Sequence, residues 1–224
     1  MENLTLIIPA KYESTSLPKV LEEIDDLNIK CKKIIIVPGY DTNTIEVVKK
    51  FDCEILIQTG EGFGNALIEG LNKSQTKYSC IFNADGSFDP IYLKDMMKKF
   101  EENYDFVFST RYTSPGGSDD DTFLTLIGNY FFTGLCKLLF KLDISDVLYT
   151  YVMGKTEVFQ RLQLQNNDFT FCIELPVKAK FFSYKLCDFP SYERSRISGF
   201  KKVNEFKDGF LILISILRLF ILRK

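Results

Sequence analysis

Residues 81–90 read Ile-Phe-Asn-Ala-Asp-Gly-Ser-Phe-Asp-Pro, an apolar run followed at once by oxygen-bearing side chains. A buried strand ending in Asn83, Asp85 and Ser87 points hard oxygen ligands into the cleft at its carboxyl end. Open α/β sheets bind their ligands there. Such ligands suit a hard divalent cation, Mg2+ or Mn2+, gripped together with substrate phosphates. Without its context, the same stretch is an Asx-rich turn capping a helix over 90–102. The surrounding chain has to decide between the two.

The 224-residue chain contains no histidine. Ser-His-Asp, Cys-His and His-ligated metal mechanisms are therefore excluded. Any chemistry runs on carboxylates, cations, backbone amides or a bound metal. The six cysteines are scattered without CxxC spacing, which reads as free thiols in a reducing cytoplasm. Met1 leads straight into a strand pattern, so no signal peptide is expected.

The net charge of −2 argues against a general nucleic-acid binder, yet the charge is uneven. From Arg194 onward eight Lys/Arg face only Glu205 and Asp208, so this end is about +6 and the rest about −8. A basic, apolar end on an acidic body suits an anionic surface or a phosphorylated ligand.

The elements that must position these groups follow from periodicity. Continuous apolar runs predict strands over 4–8, 33–37, 53–57, 78–82 and 105–109. Helices are predicted over 17–26, 44–51, 64–74 and 90–102. This alternation gives βαβ units and a mostly parallel sheet covered on both faces. Right-handed crossovers bring the strand carboxyl ends, with Pro9, Pro38-Gly39, residues 83–87 and residues 110–112, to one edge. Residues 114–121 read as a flexible loop. A long apolar helix over 122–140, a strand over 148–153, helices over 156–164 and 174–182 and an extended segment over 185–189 complete the series.

Between residues 210 and 222 only Ser215 and Arg218 are not apolar. That stretch is shorter than the ~20 residues of a membrane span. It reads either as a core helix or as a helix lying in a membrane interface, with Arg218, Arg223 and Lys224 near lipid headgroups. We take the interfacial, monotopic reading as the expectation.

With these elements in place, the chain resembles a family 2 glycosyltransferase of the GT-A fold, in the branch of dolichyl-phosphate mannose synthase and its polyprenyl-phosphate relatives. The resemblance covers roughly residues 4–204 and rests on several motifs in order. Ile7-Ile8-Pro9-Ala10-Lys11-Tyr12-Glu13 is similar to the family's "IPAYNE", with Tyr12 where Asn is usual. Val37-Pro38-Gly39-Tyr40-Asp41 stands where the family has "VDDGS", so the Asp pair that contacts the nucleobase is replaced; Asp41 is either its substitute or a helix cap. Gly62-Phe63-Gly64-Asn65-Ala66 with Gly70 resembles "GKGNAL..G". Asn83-Ala84-Asp85 stands for the metal motif "DAD", with one carboxylate lost. Ser109-Thr110-Arg111-Tyr112 and Gly116-Gly117 resemble "GSRY..GG", and Asn129 and Asp146 fall on further family positions. Phe171-Cys172-Ile173-Glu174-Leu175 resembles "f..Ell". Arg196-Ile197-Ser198-Gly199-Phe200-Lys201-Lys202-Val203-Asn204 resembles "RxxGxSKxN".

The resemblance implies sugar transfer, with inversion, from a UDP- or GDP-sugar to a polyprenyl phosphate at the cytoplasmic face of a membrane. It implies Asp85 as key metal ligand with Asn83 and Ser87, and Asp85, Arg111 and Asp146 as the catalytic set. Pro9, Ala10, Glu13, Asp41, Gly64, Asn83, Ala84 and Asp85 would line the nucleotide-sugar site. Arg111, Arg196 and Lys202 would hold phosphates. Residues 1–204 form the catalytic domain on this reading, and 205–224 a peripheral membrane helix; a homo-oligomer is compatible with it. Two alternatives stay open. A hydroxyl acceptor would need Asp146 or Glu174 as base, and a degenerate relative would bind without turnover.

Overall fold

The computed structural model describes residues 2–198 and 205–222. The strands form where apolar and β-branched residues run without interruption: β1 (Leu4–Pro9), β2 (Lys32–Pro38), β3 (Glu54–Gln58), β4 (Tyr78–Ile81) and β5 (Phe106–Thr110). Between them lie α1 (Leu17–Asp26), α2 (Thr42–Val48), α3 (Phe63–Lys73) and α4 (Leu93–Lys98). Helix α1 shows why these segments coil: Leu17, Val20, Leu21 and Ile24 form one buried stripe. Helix α4 is flanked by 3-10 turns at Pro90–Tyr92 and Lys99–Glu102, so the expected helix over 90–102 exists in three pieces.

The second half supplies the two-residue strand β6 (Gly117–Ser118), α5 (Phe123–Phe140), β7 (Val152–Lys155), α6 (Thr156–Arg161), α7 (Phe171–Phe181), β8 (Leu186–Pro190), the short β9 (Tyr192–Glu193) and α8 (Glu205–Ile221). Seven strands make one sheet in the order β3-β2-β1-β4-β7-β5-β8. All neighbours are parallel except β7, which runs antiparallel to both β4 and β5. The mostly parallel α/β sheet is as expected, but the strand placed over 148–153 starts later, at Val152. Tyr149 and Tyr151 instead lead into it as buried irregular chain. Helix α7 likewise starts at Phe171 rather than Glu174.

Successive residues of a strand face opposite sides, and the core divides accordingly. Ile7, Ile34, Ile36 and Ile81 pack beneath α3, α5, α7 and α8. Leu6, Ile8, Ile35, Val37 and Phe82 pack on the side of α1 and α4. Strand β1 lies between β2 and β4, so the sheet's switch point opens a crevice between the ends of β1 and β4.

Helices α5 and α8 lie side by side. Phe132 approaches Gly209 and Phe140 approaches Phe220, so the two run in the same direction. Each puts one face into the body: Asn129, Thr133, Cys136 and Phe140 from α5, and Ile212, Ser215 and Ile216 from α8. Ser215 is also held by Asn166 Nδ2 at 3.2 Å. The remaining surface of both helices is apolar and exposed, with Phe123, Leu124, Ile127, Tyr130, Phe131 and Leu138 on α5. Phe206, Phe210, Ile214, Leu217 and Ile221 continue it on α8. One face of the C-terminal helix is thus docked in the body, and the other is exposed and largely apolar.

Candidate active site

Strand β4 ends and the chain turns at Gly86, whose φ of +86° only glycine adopts without strain. The turn is built on Asp85. Its Oδ1 accepts from Ser87 N–H at 3.0 Å and from Ser87 Oγ–H at 2.8 Å. Asn83 Nδ2 donates to the same Ser87 oxygen at 3.2 Å. Ser87 is fully buried, so its hydroxyl aims Asp85 instead of meeting the expected cation directly. Asp85 keeps Oδ2 for the cleft, and Asn83 keeps its carbonyl oxygen.

Among the described residues Asp85 pairs with Arg196, whose Nε lies 3.8 Å from Oδ2. Arg196 is bound more closely to Asp120, at 3.0 Å through Nη2. Burial works against the Arg196 charge, but the hydrogen bond to Asp120 and the charges of Asp85 and Asp120 raise its pKa overall. The Asp85 pair is long, and neither partner is sealed from solvent. Among the described residues no group of three or more acidic, His or Cys side chains could cage a metal. One carboxylate and one amide fit a cation that draws its other ligands from a diphosphate and water, as Mg2+ usually does.

The segment carrying Arg196 is tied to this loop by its backbone. Ile197 N–H donates to Asp85 O at 2.8 Å and Arg194 N–H to Ser87 O at 2.9 Å. Arg194 adds a clamp that sequence reasoning missed. Its guanidinium forks onto Glu23 of α1 at 2.6 and 2.9 Å and donates to the Gly86 and Phe88 carbonyls. The parallel pairing of β6 with β9 holds the same segment from the other side.

Arg111, expected as a phosphate clamp, is already engaged. Its Nε and Nη2 fork onto Asp146 at 2.7 and 3.0 Å, while Nη1 meets Glu193 at 3.0 Å and Asp121 at 3.3 Å. Its planar group lies over the ring of Tyr149 at 4.6 Å. With its side chain 8% exposed and Asp146 sealed, the cluster is a buried hub. Burial disfavours the Arg111 charge, but Asp146 and then Glu193 hold it protonated well above its ordinary range. Burial pushes the Glu193 carboxyl up, against the pull of Arg111. Asp119, Asp120, Asp121 and Glu193 were beyond sequence reasoning; the run of three aspartates was the available signal.

The other expected nucleotide contacts divide. Pro9 is half-buried at the crevice. Ala10 and Ala84 are buried behind it, and Ala10 N–H prolongs the β1–β2 ladder to Ile36 O. Asp41 is a helix cap: Oδ1 accepts from Thr44 N–H at 3.3 Å and Oδ2 from Tyr12 N–H at 2.6 Å. Glu13 is buried and accepts from Ser16 Oγ–H at 2.6 Å. Gly64 faces away from the crevice. A side chain there would meet the carbonyls of Asn166 and Asp168, so glycine is needed for packing of the 166–168 segment on α3. The bases proposed for a hydroxyl acceptor are also occupied, Asp146 by Arg111 and Glu174 by the Gln165 and Asn166 amides and Lys178. Lys202 lies outside the described residues.

The strand order is that of an open α/β fold with its crevice at the β1/β4 switch point, and that crevice carries a carboxylate, an amide and an arginine. The chain belongs to Glycosyl transferase family 2, whose model matches residues 5–163. Among curated proteins it is similar to a dolichyl-phosphate hexose transferase of Haloferax volcanii, 22% identical over 97% of this chain and 93% of that one. An uncharacterized glycosyltransferase of Mycobacterium bovis is 20% identical over 94% of both chains. Among solved structures, glucosyl-3-phosphoglycerate synthase from Mycobacterium tuberculosis, in complex with Mn2+, UDP and glucosyl-3-phosphoglycerate, superposes with a TM-score of 0.75 at 13% identity, covering 96% of this chain and 78% of that one. Mannosyl-3-phosphoglycerate synthase from Rubrobacter xylanophilus gives 0.72 at 14%, covering 98% and 72%. These likenesses establish the GT-A fold.

Proposed function

We propose that the protein transfers a sugar from a nucleotide-sugar to a polyprenyl phosphate while lying on a membrane surface. The observation that carries this reading is where the exposed apolar helices begin. Asp120, bound to Arg196, lies three residues before the start of α5, and Arg196 lies nine residues before α8. A lipid phosphate held by Arg196 would therefore sit where both apolar faces start. Exposed Lys137, Lys207 and Arg218 on the same two helices, with Lys141 just past the end of α5, suit anionic headgroups. Residues 205–222 act on this reading as the attachment element, jointly with α5, at the cytoplasmic face.

The chemistry fits the residues present. A phosphate monoester has its second pKa near ~6, so the acceptor is largely a dianion at neutral pH and attacks the anomeric carbon without a protein base. That suits a chain without histidine whose buried Asp146 and Glu174 are committed elsewhere. Asp85 Oδ2 and the Asn83 carbonyl would hold Mg2+ or Mn2+, which offsets charge on the departing diphosphate. Arg196 would exchange its long contact with Asp85 for the acceptor phosphate, and a single displacement inverts the anomeric centre. A divalent metal is supported by the Mn2+ in the glucosyl-3-phosphoglycerate synthase complex. The Haloferax volcanii relative's name supports the lipid acceptor.

The test offers labelled UDP- and GDP-sugars with three acceptors: a short polyprenyl phosphate, 3-phosphoglycerate and an oligosaccharide. Label entering the organic phase with the lipid alone supports the proposal. Label on 3-phosphoglycerate or the oligosaccharide instead would overturn it. The surface part is tested by vesicle sedimentation. The double variant Phe206→Asp, Phe210→Asp, exposed positions that leave the buried face intact, is expected to release the protein from anionic vesicles. A dimer without vesicles, lost in the same variant, would assign that face to a second copy of the chain.

A further inference from the structure

The ends of β1 and β2 carry a feature that neither the fold nor the Asp85 loop uses. Tyr12 and Tyr40 are 65% and 64% exposed, and their rings stand 6.2 Å apart at 44°. Lys11 Nζ lies 5.7 Å from one ring and 5.9 Å from the other. Exposing two large aromatics side by side forgoes hydrophobic burial, yet the backbone holds them there firmly. Tyr12 has a left-handed φ of 58°, unusual for a bulky residue. That conformation is fixed by its N–H donating to Asp41 Oδ2. Tyr40 sits in the turn closed by Asp41 N–H on Pro38 O at 2.9 Å. One buried aspartate thus fixes both loops.

The same contacts remove the groups that would read a base by its edge. Asp41 and Glu13 are 3% and 5% exposed and hydrogen-bonded inward. Among the described side chains of this rim, those of Tyr12, Tyr40 and Lys11 offer a planar ligand ring faces and a nearby cation.

We propose that Tyr12 and Tyr40 grip the donor nucleotide by stacking on the face of its base, so that the enzyme selects its donor weakly by base identity. This rests on the nucleotide-sugar reading of the site. Every base has a π-face, and stacking on an aromatic side chain strengthens binding with little regard to sequence. The phosphates would be recognised separately, at the β4 end of the crevice.

The experiment measures binding of UDP, CDP, ADP and GDP to the full chain with Mn2+, and of pyrophosphate as a probe without a base. The expected result is affinities for the four nucleotides within about tenfold of one another. The double variant Tyr12→Ala, Tyr40→Ala should weaken all four by about tenfold or more while leaving pyrophosphate unchanged. Tyr40→Phe, which keeps the ring, should bind as the parent does. Tyr40→Ala alone, at a position without positive φ, should show part of the loss. The proposal is overturned if one base is preferred more than a hundredfold, or if the alanine variants bind all four as the parent does. In either of these cases the donor reading stands. If pyrophosphate binds and no nucleotide exceeds it, the base has no place on this rim. If none of the five binds, the donor reading falls and this proposal with it.

Discussion

Asp120 and Asp121 are neighbours in sequence, yet each serves a different arginine. Asp121 joins Asp146 and Glu193 around Arg111 in a cluster sealed from water. Asp120 holds Arg196 at the mouth of the cleft, 23% exposed and only loosely paired with Asp85. In the first cluster the charges have given up hydration and depend on one another. In the second they stay partly hydrated, so an incoming phosphate or cation can exchange for a partner at small cost. The same residue types build a fixed joint in one place and a replaceable contact in the other.

Removing each arginine is the most direct way to break this contrast. Arg111→Ala strands three carboxylates and is expected to destabilise the fold by about 3–5 kcal/mol, read as a lower urea midpoint at unchanged slope. A loss below ~1 kcal/mol would mean the hub is no more than a surface pair. Asp85→Asn keeps the Oδ1 acceptor for Ser87 and removes only the cleft charge. Sugar transfer should fall by ~10²-fold or more, with the midpoint near the parent's. Activity close to the parent's would take Asp85 out of the reaction.

Arg196→Ala should move the other way from Arg111→Ala. Its stability change is expected to stay below ~1 kcal/mol. The KM for the acceptor should rise about tenfold or more, as for loss of a hydrogen bond to a charged group. A large stability loss with unchanged KM would place Arg196 with Arg111 as a structural cation.

The contrast also marks what a sequence can disclose. Continuous apolar runs such as Ile34–Val37 carry the sheet, because successive residues of a strand face opposite sides and both sides are covered. Asp85 and Asn83 were legible for the same reason, since a strand end and a turn are local. Whether Arg111 is a clamp or a joint depends on Glu193, 82 positions away, and on β6–β9, two strands of two residues each, too short to show a period. Nor does composition separate a buried apolar helix from an exposed one. Helix α5 reads simply as a long apolar helix, and most of its surface faces outward. The direction of β7 was hidden too, because a strand's pattern is the same read either way.

The finest difference between the clusters lies in pH. Burial holds the Glu193 carboxyl above its ordinary value, with Arg111 pulling the other way. Just above pH 4.5, where an ordinary Glu carboxyl titrates, the unfolded chain has released this proton while the folded chain still keeps it. The folded state then binds more protons, so stability declines as pH rises through that window and levels off above the folded pKa. Glu193→Gln removes the titration, and its urea midpoint should lack this share of the decline. In Arg111→Ala the pull of the guanidinium is gone, the Glu193 pKa moves further up, and the decline should extend to higher pH. Arg196 is bound to Asp120, whereas the guanidinium hydrogen-bonded to Glu193 is that of Arg111, so Arg196→Ala should leave the slope nearly as it is. Equal slopes in all three variants would mean that the hub's carboxylates are as well hydrated as those at the mouth, and the division between joint and replaceable contact would disappear.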